Sequence, residues 1–238
     1  MHKAKQAYEA FIEPIKHNPR VTQLLFNDTA YIRENVSDYW LPYYLLKTGL
    51  MQQNTNQQGG ALVAMFTDKE IHQFWQNENA WWYIMYGPSL LNGGCQPYSQ
   101  RYLLRRIIAD ADRCLKQEHP GATLRYGHET VLLPLVCLLD LNGYSYQTMN
   151  LNEVEPQGWW ACNVFPMGAN LQFIFYRKNL DDKDILFKVL LNEEEATLPL
   201  PTNNPPYYRW QDFREFYLRK LAAYGRIDES LLSPQTED

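Results

Sequence analysis

A histidine and a carboxylate stand side by side at His128 and Glu129, within the run LRYGHETVLLPL that spans residues 124–135. The residues before them read as a strand and those after them as an apolar helix, so the pair falls where strand ends open into ligand-binding crevices. Two metal chemistries fail on spacing. A zinc peptidase helix needs a second histidine four residues after the first, and position 132 is Leu132. A zinc deaminase needs His-x-Glu followed by Pro-Cys-x-x-Cys, whereas Glu129 is adjacent to His128 and Cys137 stands alone. What the pair can do is acid–base work on an anion. A histidine at a strand end donates to a phosphate oxygen, and a carboxylic acid at a helix N-terminus can reach a leaving-group oxygen. The helix dipole favours the carboxylate, so a donor role needs burial or an anionic substrate to keep the proton on Glu129. The plain alternative is that Glu129 decorates the first turn of a helix and His128 is a half-buried histidine with its bonds satisfied.

The surrounding elements must position that pair. In the amino-terminal half, AKQAYEAFIEPIK puts Tyr8, Phe11, Ile12 and Ile15 on one helical face, and ENVSDYWLPYYLLKTG continues with an aromatic helix carrying Pro42 and closing at Gly49. MQQNTNQQGG reads as a polar loop. FTDKEI is a helix start, with Thr67 and Glu70 as a capping box and Phe66 and Ile71 at the positions of a hydrophobic staple. That helix should run to the turn at Gly87-Pro88. A further helix over 101–117 buries Leu104, Ile107, Ile108, Ala111 and Leu115. After the turn at Pro120-Gly121, residues 122–126 are expected to form a short buried strand, and a helix beginning near Thr130 places Pro134 at its fourth position. The remainder reads as β: WWACNVF, ANLQFIFYRK and DILFKVLLN, the last two joined as a hairpin through the charged turn NLDDKD. A terminal helix over 210–224 buries Phe213, Phe216, Tyr217, Leu221 and Tyr224, and an acidic tail frays beyond it.

Composition bounds the partners. A net charge of −5 across 238 residues argues against nucleic acid or a membrane surface, both of which select a basic face. No apolar run is long enough to span a bilayer. Cys95, Cys114, Cys137 and Cys162 are scattered without Cys-x-x-Cys spacing, which points to free thiols rather than a metal site or disulfides.

The stretch ATLRYGHETVLLPLVCLLDLNGY resembles the second signature of the histidine acid phosphatases, in which a strand ends in Gly-His-Asp or Gly-His-Ala-Glu ahead of a leucine-rich helix. FPMGANLQFIFYRK and ILFKVLLNEEEATLPL are similar to that family's closing strands, and FTDKEIHQFWQ with GPSLLNGG to its helical domain, closest to the bacterial members that act on multiple inositol polyphosphates. The resemblance implies an α/β histidine-phosphatase-like sheet domain with a mainly helical α-domain, divided here as residues 1–118, mainly helical, and 119–238, the carboxy-terminal part of the phosphatase domain. It implies no cofactor and no metal. His128 would contact the transferring phosphate, Glu129 would donate the proton to the leaving alcohol, and Arg125 and Asn170 would be weaker contributors to the pocket wall. The substrate would be a phosphorylated small molecule such as an inositol phosphate.

The family's nucleophile is the histidine of an RHGxRxP motif near the amino terminus, and no Arg-His pair occurs in this sequence. His2, His17, His72 and His119 lack that context. The strand expected at 122–126 also lacks a parallel partner in the amino-terminal half. In the family both belong to one element, so the chain is expected to be incomplete at its amino-terminal strand and inactive alone, its phosphohistidine route needing a missing segment. The protein would be periplasmic or secreted if the complete form carries a leader, cytoplasmic if made as given. The competing reading is a descendant without catalysis that binds anions or partners. A third, a binding module built on Trp81, Trp82, Trp159 and Trp160, turns on whether those side chains are buried.

Overall fold

The computed structural model describes residues 2–54 and 60–232; half of the expected polar loop, residues 55–59, and the end of the expected tail, 233–238, lie outside the described residues. Contacts divide the chain into two units, Met1–Trp81 with Asn150–Glu155, and Trp82–Met149 with Pro156–Asp238.

The first unit is helical: α1 (His2–Lys16), α2 (Arg20–Leu25), α3 (Thr29–Asn35), α4 (Trp40–Met51), α5 (Gly60–Val63) and most of α6 (Asp68–Met85). The apolar stripe of α1 buries Ile12 and Ile15, which pack with Val21, Tyr39, Leu46, Phe66 and Phe74, while Tyr8, Phe11 and Ile71 close the cluster from its margin. Pro42 sits early in α4, where the missing N–H costs little, and the helix runs past Gly49 to Met51.

The second unit holds α7 (Arg101–Cys114), α8 (Glu129–Leu139), the one-turn α9 (Ala161–Val164), a four-stranded sheet and α10 (Trp210–Leu232). Helix α8 is apolar on every side and accordingly buried, with Leu133 through Leu139 all out of solvent. Its last carbonyls are satisfied from α10: Tyr217 Oη donates to Leu139 O at 2.6 Å and Lys220 Nζ to Leu138 O at 2.7 Å. A cation at that end also complements the helix dipole. Burial lowers the Lys220 pKa and drives the Cys137 thiol upward. The four cysteines are all free, Cys137 buried and Cys114 half-buried.

In the sheet, β2 (Leu186–Leu191) is central and every pairing is antiparallel. β1 (Leu171–Tyr176) lies on one side in the register Phe173↔Val189, and β3 (Glu194–Ala196) and β4 (Tyr208–Arg209) share the other. The tight β2–β3 turn places Asn192 and Glu193 at φ 54° and 70°, the paired left-handed geometry that suits the twist of a hairpin. Phe173, Phe175 and Phe187 meet Trp210 and Phe213 on α10 in edge-to-face contacts. This mixed α/β arrangement, helices with a small antiparallel sheet, agrees with the fold class read from the sequence, and the β1–β2 hairpin is the one expected.

Four expectations change. Residues 122–126 form no strand: the segment has no regular secondary structure and is exposed throughout, with Leu124 at 73% and Tyr126 at 93% exposure. A strand is stable only through a neighbour that shares its hydrogen bonds, and among the described residues none pairs with it. WWACNVF is not a strand either, because Ala161–Val164 close into a helical turn. Helix α8 starts at Glu129 rather than near Thr130, which moves Pro134 beyond the first turn into the helix interior. Helix α10 continues to Leu232, so the acidic segment after Tyr224 is helical for two turns before the described residues end. Among the described residues no helix is long and apolar enough to cross a membrane.

Candidate active site

The approach to the His128–Glu129 pair is held from one side. Within the exposed segment that precedes it, Thr123 Oγ1 lies 3.5 Å from Cys114 Sγ and the Arg125 guanidinium donates to Asp110. Asp110 is a buried carboxylate on α7, and it also accepts from Arg106 Nε at 3.1 Å and pairs with Arg113 Nη2 at 3.0 Å. Three guanidiniums thus meet this one carboxylate.

His128 is the N-cap residue of α8. Its backbone is extended (φ −116°, ψ 166°), and its carbonyl accepts from Val131 N at 2.9 Å and Leu132 N at 3.1 Å. The imidazole makes no capping bond. Glu129 follows as the first helical residue. Both side chains are exposed and, among the described residues, neither has a hydrogen-bonding partner. The plain alternative, a half-buried histidine with its bonds satisfied, is therefore not what the structure holds. The first N–H groups of α8 have no Ser, Thr, Asp or Asn to cap them, and together with the dipole of an 11-residue helix they offer an anion a positive end. The exposure of Glu129 leaves its carboxyl open to water and to an arriving ligand.

Of the two weaker candidates, Arg125 is committed to Asp110. Asn170 locks the sheet: its N–H donates to Asn192 Oδ1 at 3.1 Å, its Nδ2 to Glu193 Oε1 at 3.0 Å, and its Oδ1 accepts from Gln172 Nε2 at 2.9 Å. Its side chain is thus fully engaged in holding β1 to the β2–β3 turn. The other histidines belong to other settings. His17 Nε2 lies 3.1 Å from Glu13 Oε1, and His72 Nε2 lies 2.7 Å from Glu155 Oε1 beneath the stacked ring of Trp75. A groove of about 350 Å³ beside β4 is lined by Leu186, Thr202, Tyr207, Arg209 and Asp212 among others, and does not include His128 or Glu129. Of the tryptophans, Trp159 is in the core, where Nε1 donates to Tyr144 O at 3.1 Å, while Trp81 and Trp160 are 37% and 39% exposed.

Comparison with protein families matches residues 2–192 to the histidine phosphatase superfamily (branch 2). The chain belongs to that superfamily. No curated protein matches it. Among solved structures it is similar to the Bifidobacterium longum multiple inositol polyphosphate phosphatase, determined in complex with inositol hexasulfate, at 20% identity and a TM-score of 0.65. The match covers 76% of this chain and 40% of that one, so the chain spans well under half of its structural neighbour. At that identity the likeness is one of fold, and it agrees with the superfamily match. Membership gives the exposed pair on α8 its context: the match includes Arg125, His128, Glu129 and Asn170 alike. The hub at Asp110 was missed in the sequence, although Arg106, Asp110 and Arg113 stand at the i, i+4 and i+7 positions of one helix face.

Proposed function

We propose that this chain carries the leaving-group side of a phosphomonoesterase centre, in which the His128 imidazole binds the phosphate of a phosphorylated small molecule and Glu129 donates the proton to the departing alcohol. The observation that supports it most is the pairing of two unpartnered, exposed acid–base side chains with an uncapped helix N-terminus, inside the superfamily match. The free N–H groups of α8 and the imidazole would face developing negative charge together. Inositol polyphosphates are the substrate class we favour, since the similar Bifidobacterium longum enzyme is named for them and its structure holds a hexasulfate analogue.

A complete reaction needs a nucleophile. The Arg-His pair that opens the family's nucleophile motif does not occur in the sequence, so in this reading the chain binds the ester and turns it over only with a segment that supplies one. That same sequence observation favours a second reading, a non-catalytic anion binder. Binding of inositol hexasulfate, followed by the amide signals of residues 128–132, tests the shared part. Loss of the His128 hydrogen bonds in His128→Ala should weaken binding about tenfold. Unchanged affinity would remove both readings. Hydrolysis of p-nitrophenyl phosphate by the chain together with a segment that carries the family's Arg-His motif, abolished in His128→Ala, would decide against the non-catalytic one; hydrolysis that survives both His128→Ala and Glu129→Gln would place the centre elsewhere.

A further inference from the structure

The groove of about 350 Å³ beside β4 takes no part in the phosphatase reading. Apart from Leu186, every residue that lines it lies beyond residue 192, where the superfamily match ends. Its walls are built and held within one stretch of chain. Leu186 and Arg209 are partners in the β2–β4 pairing, which sets both side chains on one face of the sheet. The loop between β3 and β4 closes on itself: Thr202 Oγ1 donates to Tyr207 O, Asn204 N to Thr202 Oγ1 at 3.2 Å, and Tyr207 N to Asn204 O at 2.8 Å. The Tyr207 ring is fixed by an edge-to-face contact with Tyr176. Trp210 N donates to Ile185 O at 2.8 Å and so seats the first turn of α10, which carries Asp212, beside β2. The bonds that shape the groove use the backbone and Thr202. They leave the side chains of Asn203, Asn204 and Asp212 exposed and, among the described residues, without a hydrogen bond.

We propose that this groove binds an uncharged sugar of one or two rings, with the C–H face of a ring against Tyr207 and its hydroxyls on Asn203, Asn204 and Asp212. The free groups select that chemistry. A primary amide offers a donor and an acceptor side by side, as a hydroxyl does, and a carboxylate accepts from a hydroxyl. Tyr207, Leu186 and Pro201 supply the apolar surface that the C–H face of a sugar needs and a small inorganic ion does not. An anion is disfavoured, because the Arg209 guanidinium is already held by Asp184 Oδ1 at 2.7 Å while Asp212 presents an unneutralised carboxylate. A cation would in turn meet Arg209. The volume lies within the range of small-molecule sites. Walls that are already formed cost little to order, but an open groove with few bonds gives affinity only in the millimolar range. Because the groove does not include His128 or Glu129, the inference does not rest on the phosphatase reading.

Amide magnetic resonance spectra of the chain, titrated with maltose, cellobiose and lactose to about 20 mM each, test the assignment. At least one of these sugars should shift the amides of residues 202–212 and saturate in the millimolar range, while the amides of residues 128–132 stay in place. Inorganic phosphate at the same concentration should leave the groove signals unmoved. Asn203→Ala and Asp212→Ala each remove a hydrogen-bonding group and should weaken sugar binding about fivefold. Both side chains are exposed, so the variants should keep the circular dichroism of the parent. Absence of a shift at residues 202–212 with all of these sugars, a groove response to phosphate as large as that to sugar, or sugar affinity unchanged in both variants would each overturn the proposal.

Discussion

Helices α6 and α8 both begin with a glutamate in the first turn, and the two glutamates have opposite surroundings. At the start of α6, Thr67 N and Oγ1 each donate to Glu70 Oε2 at 2.9 Å, Asn18 Nδ2 and Arg20 Nε each donate to Oε1 at 2.8 Å, and a second nitrogen of Arg20 completes the clamp. The carboxylate is buried, and the Arg20 guanidinium beside it holds its pKa well below the usual carboxylate value, at about 2. At the start of α8, Glu129 is in water without a partner and the cap residue is a histidine that caps with nothing but its carbonyl. One helix end is finished by the chain itself. The other leaves its donors, an imidazole and a carboxyl free for something that arrives. The contrast separates a carboxylate that builds the fold from one available for chemistry, although a local sequence pattern scores both as first-turn acids.

The comparison predicts unequal costs of mutation, and the largest falls on Glu70. Its pKa of about 2 against 4.5 is worth about 3 kcal/mol of stability. Glu70→Gln should remove most of that at neutral pH, measured by urea unfolding. The sign follows from a depressed folded-state pKa: the contribution is fully present above the unfolded value of 4.5 and fades as pH falls toward 2. Parent and variant should therefore differ at pH 7 and converge near pH 2. A constant gap across that range would mean that packing, not ionisation, makes Glu70 important.

Helix α8 must then be secured elsewhere, and its C-terminus is where the bonds are. Tyr217→Phe removes the buried donor to Leu139 O and should cost about 1–2 kcal/mol, an unsatisfied carbonyl being left in the core. Thr67→Ala should cost about 1 kcal/mol by removing the α6 cap, with the Arg20 clamp left on Glu70. If Thr67→Ala proves costlier than Tyr217→Phe in the same unfolding experiment, the view that α8 is held from its far end is weakened.

Legibility in the sequence followed the range of the interaction. The capping box and staple at 66–71 and the β1–β2 hairpin were visible because their partners lie within a few residues or repeat with period two. The Arg20–Glu70 clamp and the Asp110–Arg125 pair join residues 50 and 15 positions apart, and no periodicity announces them. WWACNVF misled because a short apolar run satisfies strand and buried turn equally. Residues 122–126 misled in a more instructive way. Their alternation is that of a strand, but a strand is a property of two segments, and the second is not among the described residues. His128 and Glu129 were singled out through the longer signature around them; the structure added that both are exposed and make no hydrogen bond among the described residues.

The smallest effect is the sharpest test of the comparison. Glu129→Gln and His128→Ala change exposed side chains that make no hydrogen bond among the described residues, so each should shift unfolding stability by less than about 0.5 kcal/mol. A neutral Gln at the first turn forfeits only the charge–dipole term, which water and salt already screen. Both variants should nonetheless alter the response of the residue 128–132 amides to inositol hexasulfate. Stability retained while ligand response is lost is the signature of a residue kept for what it binds. Should Glu129→Gln instead cost as much as Glu70→Gln, the two helix starts would be alike, and the carboxylate on α8 would be structural after all.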